Sequence, residues 1–504
     1  MRKLLVYILL STIVLTVSCR KTKTFSDSPS RNIELSSDTI TFDTVFTCVG
    51  SSTRILMVYN NTDDNLKINS IRLERGSDSP YSVNVDGVAG TSFSDVDIYA
   101  HDSLYVFIKV TIDPTDENSP FFVEDRLLFN TNGNQTVAHL TAYGQNAHYI
   151  IGNIGIFPDE SGHYTNYYYP LTNDSIKDVH WTAEKPYVIY NVALIDSDGT
   201  LTIEAGTHVY FHGGAGLWAW SEGQLIVEGT DENPVVFQGD RLEGFYDDQP
   251  GQWDRIWLME AREGHGHSIN HAIIRNGFIG LQVQRMFGNE GDPGVIPPLE
   301  PIYINNTIIE NHTGMGIYAN CYRIWMANSL VNNCGNYCMA LTGGGEYVFT
   351  HNTIANYWTS SARSTETLFF NNYYTNPTDG DLYAIPFTCD IINSIVYGNK
   401  TNEFNTEFYP IADTTYRFKN SLICTTRNHD DENYYQSCVF NKDPNFVNTS
   451  EFNFHLDTLS PAIGIGNPCY AIGDLRFDLD GVARTGDPDA GAYQYVYVPE
   501  EPER

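Results

Sequence analysis

The chain has 504 residues, with 29 Lys plus Arg against 62 Asp plus Glu, for a formal charge of −33. A polyanion requires a basic footprint, so this balance excludes general nucleic-acid binding and opposes broad docking on anionic lipid. Tyr at 33, Phe at 26 and Gly at 40, within a hydrophobic share of 41%, favour strands and tight turns over a helical bundle.

Arg2 and Lys3 precede an apolar run from Leu4 to Leu15. That run is too short and too early to span a bilayer as a mature helix. Thr16-Val17-Ser18-Cys19 follows and resembles the lipobox of bacterial lipoproteins, although Leu15 lies four residues before the cysteine instead of the usual three. The resemblance implies that residues 1–18 are a signal peptide and that Cys19 carries lipid. It also implies a cell-envelope protein at the outer membrane, held there by its lipid anchor alone. Arg20, Lys21 and Lys23 stand where surface-exported lipoproteins of the Bacteroides group carry acidic residues, so the surface and periplasmic faces both stay open. Residues 19–31 read as a polar tether.

From 32 to 147 short alternating strands are separated by turns such as Asn60-Asn61, Asp63-Asp64-Asn65 and Asn132-Gly133-Asn134. About seven strands in that length predict a β-sandwich. Phe42-Asp43-Thr44-Val45, Val49-Gly50 and Val58-Tyr59-Asn60 resemble the immunoglobulin-like modules of bacterial envelope proteins. The Cys…Trp…Cys pattern of antibody domains is absent. Residues 148–185, rich in Tyr, Asn and Gly, read as a connector that docks as a cap. Beyond Cys19 there are eight cysteines and no C-x-x-C pair, which removes zinc-ribbon and thioredoxin readings and favours buried thiols.

From 186 to 470 a repeat emerges. Asn306-Thr307-Ile308-Ile309 returns as Asn328-Ser329-Leu330-Val331, Asn352-Thr353-Ile354-Ala355, Asn393-Ser394-Ile395-Val396 and Asn420-Ser421-Leu422-Ile423, with His271-Ala272-Ile273-Ile274 as a degenerate copy. Each copy is too short to bury a face alone. Stacked ~4.8 Å apart, the apolar positions build one core and the asparagines a ladder. Upstream, Leu201 to Phe211 and Gln224 to Thr230 keep the rhythm. These segments resemble the right-handed parallel β-helix proteins of the pectin-lyase-like superfamily, especially lipoproteins of Bacteroides relatives. The expected fold is therefore all-β, an immunoglobulin-like sandwich followed by a right-handed parallel β-helix. Residues 471–504 read as a C-terminal cap and tail, whose Phe477-Asp478-Leu479-Asp480-Gly481 resembles the closing motif of such proteins. Asp474, Asp478, Asp480, Asp487 and Asp489 there resemble a calcium set, but the order D-x-D-G lacks the remaining EF-hand loop and its closing Glu, so they read as carboxylates that hold turns. No other cofactor is expected.

The densest polar cluster runs from Asp240 to Trp257. Its aromatic rings Tyr246, Trp253 and Trp257, with Arg255 and the carboxylates Asp247, Asp248 and Asp254, are what a sugar-binding cleft uses. The competing reading is a solvated loop tied by Asp–Arg pairs. Asp247-Asp248 ahead of Gly264-His265-Gly266 resembles polygalacturonase-type hydrolases, which implies a candidate catalytic set of Asp247, Asp248, Asp254 and His265. The Asn-Thr-Asp and Arg-Ile-Lys elements of that family are missing. His265, His267 and His271 could also bind a metal, but their spacing does not diagnose one. A uronate lyase must neutralise substrate carboxylates, and residues 186–399 hold no Lys and seven Arg against 23 Asp plus Glu; such a field repels polyuronates. The expected function is a noncatalytic binder or scaffold, with a neutral glycan or outer-membrane proteins as partners. A polysaccharide hydrolase or lyase is the alternative.

Overall fold

The computed structural model describes residues 24–114, 120–156, 162–164, 166–196, 198–285, 296–375 and 382–497. The expected signal peptide, Cys19 and the first residues of the expected tether lie outside them. Two compact units follow one another, Met1–Asn146 and Ala147–Arg504. Among the described residues every extended element is a strand, with five short 3-10 turns.

The first unit is a sandwich of two five-stranded sheets. One has the order Glu34–Leu35, Arg54–Tyr59, Ser103–Val110, Tyr81–Val85, Val88–Gly90; the other Thr39–Phe46, Asn134–Gln145, Phe121–Thr131, Leu66–Leu73, Ser92–Ile98. Pairings are antiparallel except that of Thr39–Phe46 with Asn134–Gln145, which is parallel. The alternation of burial along Ser103–Val110 follows from the period of two in a strand. Leu104, Val106, Ile108 and Val110 point into a core completed by Leu56, Ile68, Ile71, Phe129 and Leu140. Each such side chain contributes about 1.5–3 kcal/mol by leaving water. The tether ends earlier than its composition suggests. Ser26 donates its backbone N–H to Asn65, and Arg31 pairs with Asp64, so residues 24–31 are docked on the sandwich.

The second unit is a parallel β-helix with three faces. The first face is an eleven-stranded parallel sheet running from His148–Ile151 to Val439–Phe440. The second and third faces join into one eighteen-segment sheet, because Met315–Ala327 and Met339–Thr350 pass from one face to the next without a break. One inward row of the first face reads Tyr187, Val209, Phe237, Ile274, Ile309, Val331, Ile354, Val396, Ile423, Phe440, each pairing with the next. The stacked core predicted from the repeat is this row and its counterparts on the other faces. The described strands within 148–185 are not a cap outside the helix but belong to its first coil: His148–Ile151 pairs with Tyr187–Tyr190, and Asp178–Trp181 with Thr200–Ile203.

The asparagine ladder differs from its prediction by one register. Asn306, Asn328, Asn393 and Asn420 turn the corner into the first face with φ between 48° and 52°, and His351 (56°) holds the same place in the intervening coil. Asn and His tolerate this left-handed conformation better than most residues. Asn352 instead aligns with Thr307, Ser329, Ser394 and Ser421, in a second, fully buried ladder. Thr307 N–H donates to Ser329 Oγ (3.1 Å), Ser329 N–H to Asn352 Oδ1 (2.9 Å), Asn352 N–H to Ser394 Oγ (3.0 Å) and Ser394 N–H to Ser421 Oγ (3.0 Å). These side chains satisfy the N–H groups that the corner takes out of the sheet.

The helix ends at Phe440, short of the predicted 470. Residues from Phe446 to Tyr495 turn back as a strap across the outside of the first face. Phe454, Ala492 and Tyr493 pack on Leu330 and Ala355; Leu456, Ala462 and Ala490 pack on Ile395 and Leu422.

Candidate functional site

The cluster at 240–257 is a loop between the first-face strand Val235–Gly239 and the second-face strand Ile256–Leu258. Its acidic pair is fixed through the backbone. Asn276 Nδ2 donates to the Asp247 carbonyl (2.7 Å) and Asn311 Nδ2 to that of Asp248 (2.9 Å), leaving both side chains exposed. Asn276, Asn311 and Asn333 form a further left-handed ladder at this corner, which the sequence reading missed. Tyr246 is covered by Arg241, whose guanidinium lies 4.0 Å from the ring centre while it forks to Glu243 at 3.0 Å.

Trp253 is a correction. It is 1% exposed, stacked 4.3 Å from Phe211, and its Nε1 donates to the Arg275 carbonyl at 2.9 Å. It belongs to the β-helix core and offers no face to a ligand. Asp254 has both oxygens 3.0 Å from Arg255 Nε, and Arg255 also reaches Gln282 Oε1 at 2.5 Å. Trp257 is half-buried, edge-on to Trp218 at 4.9 Å, in a satellite cluster with Val192 and Leu194. The loop is thus closer to an Asp–Arg-tied corner than to an open aromatic cleft.

The histidines also divide. His265 is half-exposed, whereas His267 is fully buried, with Nδ1 accepting from Leu225 N–H (3.0 Å) and Nε2 donating to the Met259 carbonyl (2.7 Å). Burial lowers its pKa to about 4. Among the described residues no group of three or more His, Cys, Asp or Glu is placed to hold a metal ion. In the C-terminal acidic set, Asp478 accepts from the N–H groups of Asp480, Val482 and Gln494, and Asp489 from those of Gly464 and Tyr495. Those carboxylates hold turns.

The third face carries the open surface. Its outward positions alternate with the core, so register sets them in rows across the coils. One row reads Tyr303, Trp325, Val348, Asp390, Arg417; the next Arg323, Glu346, Thr388, Thr415. Tyr303, Trp325 and Val348 are 38%, 44% and 37% exposed, and the two rings meet edge-on at 5.3 Å. A groove of about 440 Å³ runs beside them, lined by Trp325, Glu346, Val348, Thr388, Asp390 and Arg417. Its charges are matched: Arg323 with Glu346 at 2.9 Å, and Arg417 with Asp390 at 2.7 and 2.8 Å, with Lys419 at 3.5 Å from the same carboxylate. None of these residues stood out in the sequence reading. The usable signal was the repeat itself, because each member of the first row lies three residues before a left-handed corner residue.

No family model matches the chain, and no curated protein matches it. Solved structures with a partial likeness include a family 123 glycoside hydrolase from Clostridium perfringens, at 6% identity and TM-score 0.16, over 22% of this chain and 25% of that one. A PapD-like domain of human CEP192 is 15% identical with TM-score 0.16, over 25% of this chain and 92% of the other. The E. coli chaperone DraB is 12% identical with TM-score 0.17, over 23% and 55%. This chain thus spans about a quarter of the length of the hydrolase.

Proposed function

We propose that the protein is a noncatalytic, lipid-anchored component of the cell envelope whose β-helix holds a neutral glycan along its third face. The observation that carries this reading is the exposed row of Tyr303, Trp325 and Val348 beside matched Arg–carboxylate pairs. Aromatic rings stack on the C–H faces of sugars, and the charged pairs and the Thr388 and Thr415 hydroxyls supply hydrogen bonds. Successive coils repeat every ~4.8 Å, which suits an extended chain lying along the helix axis. The net charge of −33 favours a neutral over an anionic polymer. The enzymatic alternative draws no support from Asp254, which is held by its own neighbour Arg255.

A glycan array with the chain lacking residues 1–19 tests the reading. Trp325→Ala should weaken the bound glycan at least tenfold, about 1.4 kcal/mol, with an unchanged thermal midpoint, because the side chain lies outside the core. An array without any hit would sink the glycan reading. A second reading, a protein partner, is favoured by the outer face of the first sandwich sheet. Ile55 (51% exposed), Tyr105 (51%) and Phe107 (39%) adjoin there on paired strands. Copurification of outer-membrane proteins from detergent extracts, lost in Phe107→Asp, would favour it.

A further inference from the structure

The docked segment 24–31 fixes one end of the sandwich close to the lipid anchor. Asn65 is the clasp. Its backbone carbonyl accepts Ser26 N–H (2.9 Å), and its Nδ2 donates to the Thr24 carbonyl (3.2 Å). Phe25 lies 6.5 Å from the Tyr99 ring and under Lys67 Nζ at 5.2 Å. Further along, Asn134 donates to the Pro29 carbonyl (2.7 Å) and Asn132 to that of Arg31 (3.1 Å). The chain therefore has no slack after Thr24.

Cys19 and Thr24 are five residues apart. Fully extended, that span reaches at most ~18 Å at ~3.6 Å per residue. A lipid on Cys19 would hold Thr24, and with it the loops at 60–65 and 99–102, within that distance of the bilayer surface. The sandwich is longer than this reach. The strand Asn134–Gln145 has 12 residues, which is ~40 Å at ~3.4 Å per residue. It starts beside the docked segment and ends at Gln145, paired with Phe46. The turn at 46–51 therefore lies at the far end, out of reach.

Part of the charge at the near end is paired. Asp64 pairs with Arg31 at 2.9 Å and Asp97 with Lys67 at 3.4 Å, and Asp63 meets the His101 ring at 3.0 Å, while Asp27 and Asp102 also stand exposed at this end. Tyr99 is 37% exposed there, and tyrosine suits the membrane–water interface. Arg20, Lys21 and Lys23 add attraction to an anionic leaflet.

We propose that this end of the sandwich, formed by the loops 60–65 and 99–102 and the docked segment, is a bilayer contact surface. The inference rests on the reading that Cys19 carries lipid. It sets this end of the sandwich, and not the turn at 46–51, against the membrane. The test uses the full lipidated chain in vesicles of phosphatidylethanolamine and phosphatidylglycerol with a headgroup-nitroxide lipid as quencher. With Cys469→Ser throughout, one sample carries a fluorophore on native Cys48 in the far turn. The other carries Cys48→Ser and a fluorophore at Asp63→Cys; the pair this breaks is exposed and worth little. Intact mass reports lipid on Cys19 in both. The near-end label should be quenched at least about threefold more than the far-end label, given the ~40 Å between them. Equal quenching in chains that carry lipid overturns the contact surface and leaves the anchor standing. Chains without lipid on Cys19 overturn both.

Discussion

Ser394 shows how one small residue closes a corner of the helix. Its Oγ donates to the Ile392 carbonyl (2.7 Å) and accepts Asn352 N–H (3.0 Å), in a place with no solvent. Ser394→Ala strands the N–H of Asn352, and a buried unsatisfied group costs about 1–3 kcal/mol. The expected outcome is a lower urea midpoint with an unchanged slope. Glu403→Gln should cost more. That carboxylate is fully buried and forks to Arg363 at 2.6 and 2.8 Å, with Thr367 Oγ1 donating at 2.7 Å. Breaking such a pair costs about 3–5 kcal/mol, readable by the same titration. Neither ladder nor pair was legible in full. The recurring Asn-Ser/Thr-apolar triplet identified the corners, because polar small residues at a fixed step have little other use there. It misplaced Asn352 because His351, the true corner residue, performs the same conformational task with a different side chain. Trp253 was misread for a related reason. Gln252, Asp254 and Arg255 around it are polar, and composition does not reveal which member of a loop turns inward.

At the scale of elements, the strap is what the repeat could not announce. The corner asparagines hold it as well as the coils. Asn328 Oδ1 accepts from Arg484 Nη2 (2.7 Å), Asn393 exchanges bonds with Asn467 (2.8 and 3.0 Å), and Asn420 donates to the Ile465 carbonyl (3.1 Å). Arg484 is 7% exposed and also reaches the carbonyls of Leu475, Phe477, Gly491 and Ala492. Arg484→Met removes these bonds and keeps the bulk. Hydrogen exchange should then lose protection over 446–495 while the inward row of the first face keeps its own. Equal loss in both would show that strap and coils unfold as one unit. Deleting the strap would bare Ile308, Leu330, Ile395 and Leu422 across adjacent coils, a patch of the kind that drives aggregation. The third face, by contrast, could have been found earlier. The steps 303, 325, 348, 390, 417 match those of 306, 328, 351, 393, 420. Once the corner residue is fixed, every other row can be indexed from it.

Taken as a whole molecule, the β-helix should be sensitive to mild acid because it buries neutral histidines in its coils. His267 and His312 have pKa values lowered to about 4 by burial. His351 is lowered to about 3, by burial and then by Arg484. Each ring is held neutral by a bond it accepts: from Leu225 N–H to His267, from Gly277 N–H to His312, and from Asn393 Nδ2 to His351. In the unfolded chain all three titrate near ~6.5. Above that pH neither state binds the protons, and stability is complete. Below it the unfolded chain takes up three protons that the folded chain refuses, and stability falls at up to ~1.4 kcal/mol per pH unit for each histidine. The loss levels off only near pH 4 for two of them and near pH 3 for the third. Buried carboxylates act in the other direction. Asp240, Glu310, Asp478 and Asp489 have pKa values raised by burial, so each takes its proton in the folded state first and opposes the fall between its ordinary value and its raised one. The histidines therefore dominate just below their ordinary value. Urea unfolding at pH 7.0 and 5.5 should show a loss approaching ~4 kcal/mol for the body. His312→Gln should be destabilised at pH 7.0 yet lose about a third less between the two pH values. A pH-independent midpoint over that range would mean that the buried rings are not the groups that couple this fold to acid.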